Sequence, residues 1–302
     1  MKIIIALALA LISFETLSCD VCGGITVSSG EGLLLDNNFH FIGFKQSYSH
    51  FKSTHRDHFS PIVSTTHEHF MRSSINGKWQ IANKINLQFE LPFVVNTQVG
   101  EDETRSEKGI GDVNLLCNYV LVNSKNEEKN RSFQFQTGLG LSIPNGRYSH
   151  DVWETSNLFP GTGAFKLIAR TNIIIKKNKL GFLQENSIAV SGENKFGYKY
   201  GLALASRNSV FLQLKTKKSR LITPSVGISY LYTSTDRING APVSQLFNSG
   251  HSVNAEMSLN YLTKKWMFIL RASRPVYQYI GDGDVKLLGA LDIGIYYLIQ
   301  KK

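Results

Sequence analysis

Three groups of residues in this chain have the types and spacing to do chemistry. The first is Cys19-Asp20-Val21-Cys22, two thiols with two residues between them near the N-terminus. Such a pair can close a disulfide, carry a lipid on Cys19, or offer thiolates to a metal. Two thiolates alone do not complete a tetrahedral site, and no βαβ pattern of the thioredoxin kind surrounds them. The second group is histidine: His40, His50, His55, His58, His67 and His69 crowd into one early stretch. His55-x-x-His58 and His67-x-His69 can set imidazoles side by side, a ligand type suited to zinc, copper or nickel. Cys19, Cys22, His55, His58, His67 and His69 are thus the candidate ligands of a transition metal. The plainer reading makes these histidines exposed loop and rim residues, with no cofactor.

The third group is a set of charges inside alternating apolar and polar segments: Lys84, Glu90, Asp112, Lys166, Arg170, Glu256, Lys286 and Asp292. What they do depends on where they point. Facing lipid near a bilayer midplane, an Arg or Lys costs about 2–4 kcal/mol. Facing a lumen, the same groups pair with one another or meet water, and rings of charge are one way to set pore selectivity. They are therefore assigned to the polar inner face, as a pore lining or a salt-bridged plug. Enzyme signatures are missing: no nucleophile elbow, HExxH, phosphate loop or dinucleotide fingerprint occurs. Some membrane barrels hydrolyse lipids with Ser and His, but no local motif singles out such a pair, and the chain is read as a non-enzyme.

The elements that must position these residues are strands. In Lys84–Phe93 every odd position is large and apolar, and every even one is polar or Pro. Phe133–Ile143, Ile222–Tyr232 and Val253–Tyr261 repeat the pattern, so each segment has one oily face and one wet one. About twelve such segments are expected, near 39–51, 65–76, 81–94, 109–122, 131–143, 162–175, 179–192, 196–214, 220–233, 249–262, 265–278 and 284–299. They are longer than the strands of ordinary globular sheets and suit tilted membrane strands. Long connections (Lys52–Ser64, Thr97–Glu107, Pro144–Gly161, Ser234–Asn248) alternate with short ones (Asn76–Lys78, Lys176–Asn178, Lys215–Ser219, Thr263–Lys264). That rhythm predicts an all-β, up-and-down antiparallel transmembrane barrel with short periplasmic turns and longer outer loops. A sheet in hydrocarbon must close on itself, because every backbone polar group needs a partner there. Aromatics near segment ends, among them Phe41, Tyr119, Tyr198, Tyr200, Tyr230, Trp266, Tyr277, Tyr296 and Tyr297, fit interfacial girdles.

The ends and the charge set the compartment. Met1-Lys2, the apolar run Ile3–Ile12 and the polar Ser13–Ser18 have the layout of a signal peptide, with cleavage placing Cys19 first. The expected division is 1–18 signal peptide, 19–37 Cys-containing segment and 38–302 barrel, at home in the outer membrane of a Gram-negative cell. The formal charge of +10 in 302 residues sits mostly in short turns, such as Lys215-Thr216-Lys217-Lys218, which fits solvated turns better than a nucleic-acid groove. Partners are then outer-membrane lipid and, during biogenesis, periplasmic chaperones and the barrel-assembly machinery. Asp292-Ile293-Gly294-Ile295-Tyr296-Tyr297-Leu298-Ile299 resembles the terminal-strand signal that this machinery reads, although Gln300-Lys301-Lys302 replace a final aromatic. Cys117 shares the face of Val113, Leu115 and Tyr119 and is read as a small lipid-facing hydrophobe.

Three stretches also resemble one family: Cys19–Gly24, Lys108-Gly109-Ile110-Gly111-Asp112-Val113-Asn114-Leu115, and Gly138-Leu139-Gly140-Leu141-Ser142-Ile143-Pro144-Asn145-Gly146-Arg147-Tyr148. They resemble Gram-negative outer-membrane barrels grouped with the MetA-pathway of phenol degradation as transporters. The resemblance implies an outer-membrane channel or transporter for small molecules, hydrophobic ones among them. The alternative is a non-conducting barrel with a binding or structural role, linked to a transition metal through the CxxC and the His-rich first loop.

Overall fold

The computed structural model of the protein describes residues 39–56, 63–149, 158–217, 220–243 and 249–300. The signal peptide, Cys19, Cys22 and His58 lie outside the described residues. Strands β1 (Phe39–Arg56), β2 (Val63–Ala82), β3 (Ile85–Val99), β4 (Thr104–Ile110), β5 (Val113–Asn126), β6 (Arg131–Ile143), β7 (Lys166–Lys177) and β8 (Leu180–Ser191) form the first part. After the two-residue β9 (Tyr198–Lys199) come β10 (Ala203–Leu212), the stub β11 (Leu214–Lys215) and β12 (Leu221–Thr233). Two more short pieces, β13 (Arg237–Ile238) and β14 (Ala241–Pro242), precede β15 (Gly250–Leu262), β16 (Trp266–Ile280) and β17 (Val285–Gln300).

Neighbours pair antiparallel around the whole sheet, and β1 pairs with β17 from Phe39↔Gln300 to Ser53↔Val285, so no edge is left open. With β4 and β5 counted as one interrupted strand and β11 as a stub, the wall is a closed barrel of twelve strands. Closure is what hydrocarbon demands of a sheet. Both described ends of the barrel, Phe39 and Gln300, lie on the side of the short turns. Asn130 and Asn178 take positive φ in two of those turns (47° and 56°), a conformation Asn tolerates better than most residues.

Alternation decides which face each residue takes. On β17, Leu291, Ile293, Ile295 and Tyr297 are exposed on the outside, while Tyr296 and Leu298 are buried inside. Outward residues elsewhere include Phe44, Ile75, Leu91, Phe93, Leu139, Leu141, Val226 and Ile228, all exposed and apolar. A largely apolar exterior around a closed sheet is the form that spans a membrane. Trp266 and Tyr297, with ring centroids 5.2 Å apart, belong to a girdle at the turn end. His251 stacks on Tyr277 at 5.5 Å, with Tyr230 and Tyr279 nearby, at the loop end.

Several expectations need correction. Asn76-Gly77-Lys78 is not a turn: β2 runs through it, with Asn76 and Lys78 buried inward, and the chain reverses at Asn83-Lys84. The polar-apolar alternation simply continues there, and it outweighs the turn preference of Asn-Gly. The expected loop Thr97–Glu107 is largely the β3/β4 hairpin extended beyond the wall, turning at Gly100–Glu103. Not every aromatic joins a girdle. Phe41 and Tyr296 meet edge-on at 5.2 Å inside the barrel, packed with Met267, Ile269 and Leu298. Tyr148, Tyr198 and Tyr200 pack with Ala164 among the outer loops.

Candidate functional site

The inner wall is polar. Its charged side chains project from residues of one parity on each strand, because the other parity faces lipid. Arg72 Nε on β2 reaches Glu90 Oε1 on β3 at 3.0 Å, and Asn114 Nδ2 donates to Glu90 Oε2 at 3.0 Å. Arg207 on β10 bridges two strands, with Nη1 3.2 Å from Glu185 Oε2 and Nε 2.7 Å from Glu256 Oε2. Arg271 Nη1 stands 3.5 Å from Asp292 Oδ2, whose other oxygen accepts from Ser47 Oγ at 2.6 Å. Lys45, buried on β1, lies within electrostatic reach of both Glu90 and Asp292. Arg170 Nη1 extends to Gln88 Oε1 at 3.5 Å. Together these make a belt of alternating charge around the lumen, with a small pocket beside Glu185, Arg207, Glu256 and Arg271.

Glycine gives this belt its room. A Cβ on Gly138 would lie 2.3 Å from Asn118 Oδ1, and one on Gly140 would lie 2.3 Å from Leu116 Cδ1. The two glycines let β5 side chains lie flat across β6. Asn86 Nδ2, Asn172 Oδ1 and Ser187 Oγ face inward without a partner among the described residues. Buried polar atoms of that kind take up ordered water where there is room for it.

Both ends of the inner wall are oilier. At the turn end, the cluster of Phe41, Met267, Ile269, Tyr296 and Leu298 faces inward. At the loop end, the connection between β6 and β7 folds into the barrel and seats Leu158, 1% exposed, against Phe51, Phe70, Ile280, Val285 and Leu287. Asn96 Nδ2 donates to Leu158 O at 2.9 Å. Asp112 anchors the same connection: it accepts from Gly146 N at 3.0 Å, Thr162 N at 2.9 Å and Thr162 Oγ1 at 2.5 Å. The backbones of Gly146 and Gly161 cross so closely that a Cβ on Gly161 would lie 2.4 Å from the carbonyl carbon of Gly146. Gly111, before Asp112, is likewise roofed by Pro160 O, 3.0 Å from where a Cβ would stand.

The eight candidate lumen residues divide accordingly. Glu90, Lys166, Arg170, Glu256 and Asp292 lie on the inner face; Lys166 also stands 4.6 Å from the ring centre of Tyr200. Asp112 is buried between β4 and β5 and ties down a loop. Two must be corrected. Lys84 occupies the Asn83-Lys84 turn and is exposed. Lys286 faces outward: Leu288 has no partner in the β1–β17 register, a bulge that reverses the parity beyond it. Sequence reasoning passed over Lys45, Arg72, Glu185, Arg207 and Arg271. Their parity within their strands was the available signal.

The described histidines of the candidate metal set are divided between two faces. His67 and His69 share the outer face of β2 with His50 of β1, whereas His55 points inward and meets Thr66 Oγ1 at 2.9 Å. The sheet stands between them, because β1 and β2 present opposite parities to the same face. No group of three His, Cys, Asp or Glu placed to hold a metal occurs among the described residues. Cys117 is exposed on the outer face.

No family model matches the chain, and no curated protein matches it. Among solved structures, an outer membrane channel from Pseudomonas putida F1 superposes with a TM-score of 0.65 at 13% identity, covering 86% of this chain and 95% of that one. The translocator domain of the autotransporter NalP from Neisseria meningitidis matches at 9% identity over 90% of this chain and 92% of that one, with a TM-score of 0.42. The first likeness is one of fold: this chain is an all-β, twelve-stranded barrel of the outer-membrane kind.

Proposed function

We propose that the barrel is an outer-membrane channel for small molecules, narrowed at both mouths by apolar side chains. The observation that carries this is the charge-lined inner belt between two apolar clusters. A paired belt of Lys45, Arg72, Arg207 and Arg271 with Glu90, Glu185, Glu256 and Asp292 gives polar solutes a hydrated path. Apolar constrictions hold back water and ions by dewetting, yet accept solutes with an apolar part. The resemblance to barrels grouped with phenol degradation agrees with that solute class, and the channel from Pseudomonas putida F1 supports the reading at the level of fold. During biogenesis, β17 would be the strand read by the assembly machinery.

Steady conductance of the purified full chain in planar bilayers is the test. Conductance steps should appear and should grow when Leu158 is replaced by Ser. A bilayer that stays silent with both proteins would make this a non-conducting barrel.

A further inference from the structure

Outside the wall, at the loop end, four of five adjacent strands bring basic side chains into one band. Lys286 comes from β17, Lys52 and His50 from β1, His67 and His69 from β2, and Lys108 from β4. The register puts Lys52 between Lys286 on one side and His67 on the other, and sets His50 opposite His69. Beyond His69 lie Thr97 of β3 and Ser106 of β4, and Lys108 is the next outward residue of β4. Phe51, Leu287 and Glu68, which alternate with them, are buried inside, so these six point outward. The imidazoles are already gathered: His50 and His69 stack at 4.4 Å, and His50 Nε2 stands 3.1 Å from His67 Nδ1. Tyr48 OH adds a contact to His69 Nδ1 at 2.8 Å.

Two features of this band point to a bound anion. Lys52 and Lys286 are directly opposed across a strand pair, an arrangement that destabilises a sheet unless something neutralises it. None of Lys52, Lys108 and Lys286 pairs with a carboxylate among the described residues; Glu107, next to Lys108, pairs with Arg147, and the acids nearest Lys286 along the chain, Asp282 and Asp284, belong to the turn above it. Height fixes what meets the band. From Trp79 of the turn-end girdle to His67, β2 rises about 28 Å at a tilt of ~45°, against an apolar band about 25 Å tall. The band therefore lies at the headgroup level of the outer leaflet, directly above the exposed apolar residues Met71 and Leu291.

We propose that this face binds the phosphate groups of an outer-leaflet phosphorylated glycolipid. The three ammonium groups and the clustered imidazoles supply charge-assisted hydrogen bonds to phosphate oxygens, and the apolar wall below receives the acyl chains. The inference needs the barrel in its membrane but not conduction, so a silent bilayer would leave it standing.

The test uses the full chain in phosphatidylcholine nanodiscs doped with diphosphorylated lipid A, with dephosphorylated lipid A, or with inorganic phosphate in the buffer, read by native mass spectrometry. The wild type should retain diphosphorylated lipid A selectively. Each lysine at an anionic surface contributes about fivefold (~1 kcal/mol), so Lys52→Gln/Lys108→Gln/Lys286→Gln should lose roughly a hundredfold in retention. Lys286→Gln alone, expected to lose about fivefold, takes its place if the triple variant does not insert. Equal retention of the dephosphorylated lipid, undiminished retention by the variants, or equal uptake of inorganic phosphate would each overturn the assignment.

Discussion

Asp112 offers the sharpest perturbation of the loop-end constriction. Its carboxylate takes three hydrogen bonds from the connection that seats Leu158, two of them from backbone N–H groups of Gly146 and Thr162. In Asp112→Asn the volume is kept, but the charge is lost and one acceptor becomes a donor aimed at a donor. Hydrogen bonds to a charged acceptor contribute about 1.5–3 kcal/mol each, and three on one carboxylate are coupled, so their sum overstates the loss. Taking ~3 kcal/mol for the set, the ratio of released to seated loop rises roughly a hundredfold at 1.4 kcal/mol per decade. The barrel wall itself is untouched, since Asp112 stands in the break between β4 and β5. Single-channel recording should show longer open times and a larger mean conductance, with far-UV circular dichroism unchanged. Conductance and open time indistinguishable from wild type, in a barrel that folds normally, would refute the idea that Asp112 holds the constriction in place.

Gly161→Ala should release the same connection by steric conflict with Gly146, raising conductance in the same assay. Arg207→Met should leave Glu185 and Glu256 unneutralised in the lumen and shift selectivity toward cations, read as a change in reversal potential across a salt gradient. Leu139→Arg, on an outward position that is 63% exposed, should cost about 2–4 kcal/mol near the bilayer midplane. Its midpoint for urea unfolding in lipid vesicles should fall accordingly. Lys84→Ala, in an exposed turn, should change neither conductance nor selectivity.

The fold was legible because it depends on a period of two, and that survives in local sequence without knowledge of any partner. Glu90, Arg170 and Asp292 could be placed on the wet face by counting from their neighbours. Counting failed where the ladder slips. Leu288 is an extra residue in β17, and past it the same parity that buries Asp292 exposes Lys286. Val276 plays the same part in β16, opposite the Val253–Asn254 step. Nothing in the residues Leu-Leu-Gly or Pro-Val-Tyr announces a bulge, since its cause is the fit between strands. The described histidines of the metal set were hard to place for a related reason: His55 and His67 are near in sequence, but the sheet puts them on opposite faces.

Pairing within the lumen lay further from reach than facing. Parity says that Arg207 points inward; only the register, with Glu185 directly opposite and Gly227 beside Glu256, says which carboxylates it meets. That register is set by where the turns fall, and the misplaced turn at Asn76–Lys78 would have shifted every partner of β2. The glycines tell the opposite story. Gly111, Gly138, Gly140 and Gly146 stood out in the sequence as motifs with no stated task, and in the barrel each marks a place where the inner wall has to be thin. Two make space for side chains of the next strand, and two make space for the connection that carries Leu158. A chain that lined its lumen with larger residues at those positions could still close a barrel of the same strand count, but it could not fold a loop into its own mouth. The constriction, and not the barrel, is what those glycines specify.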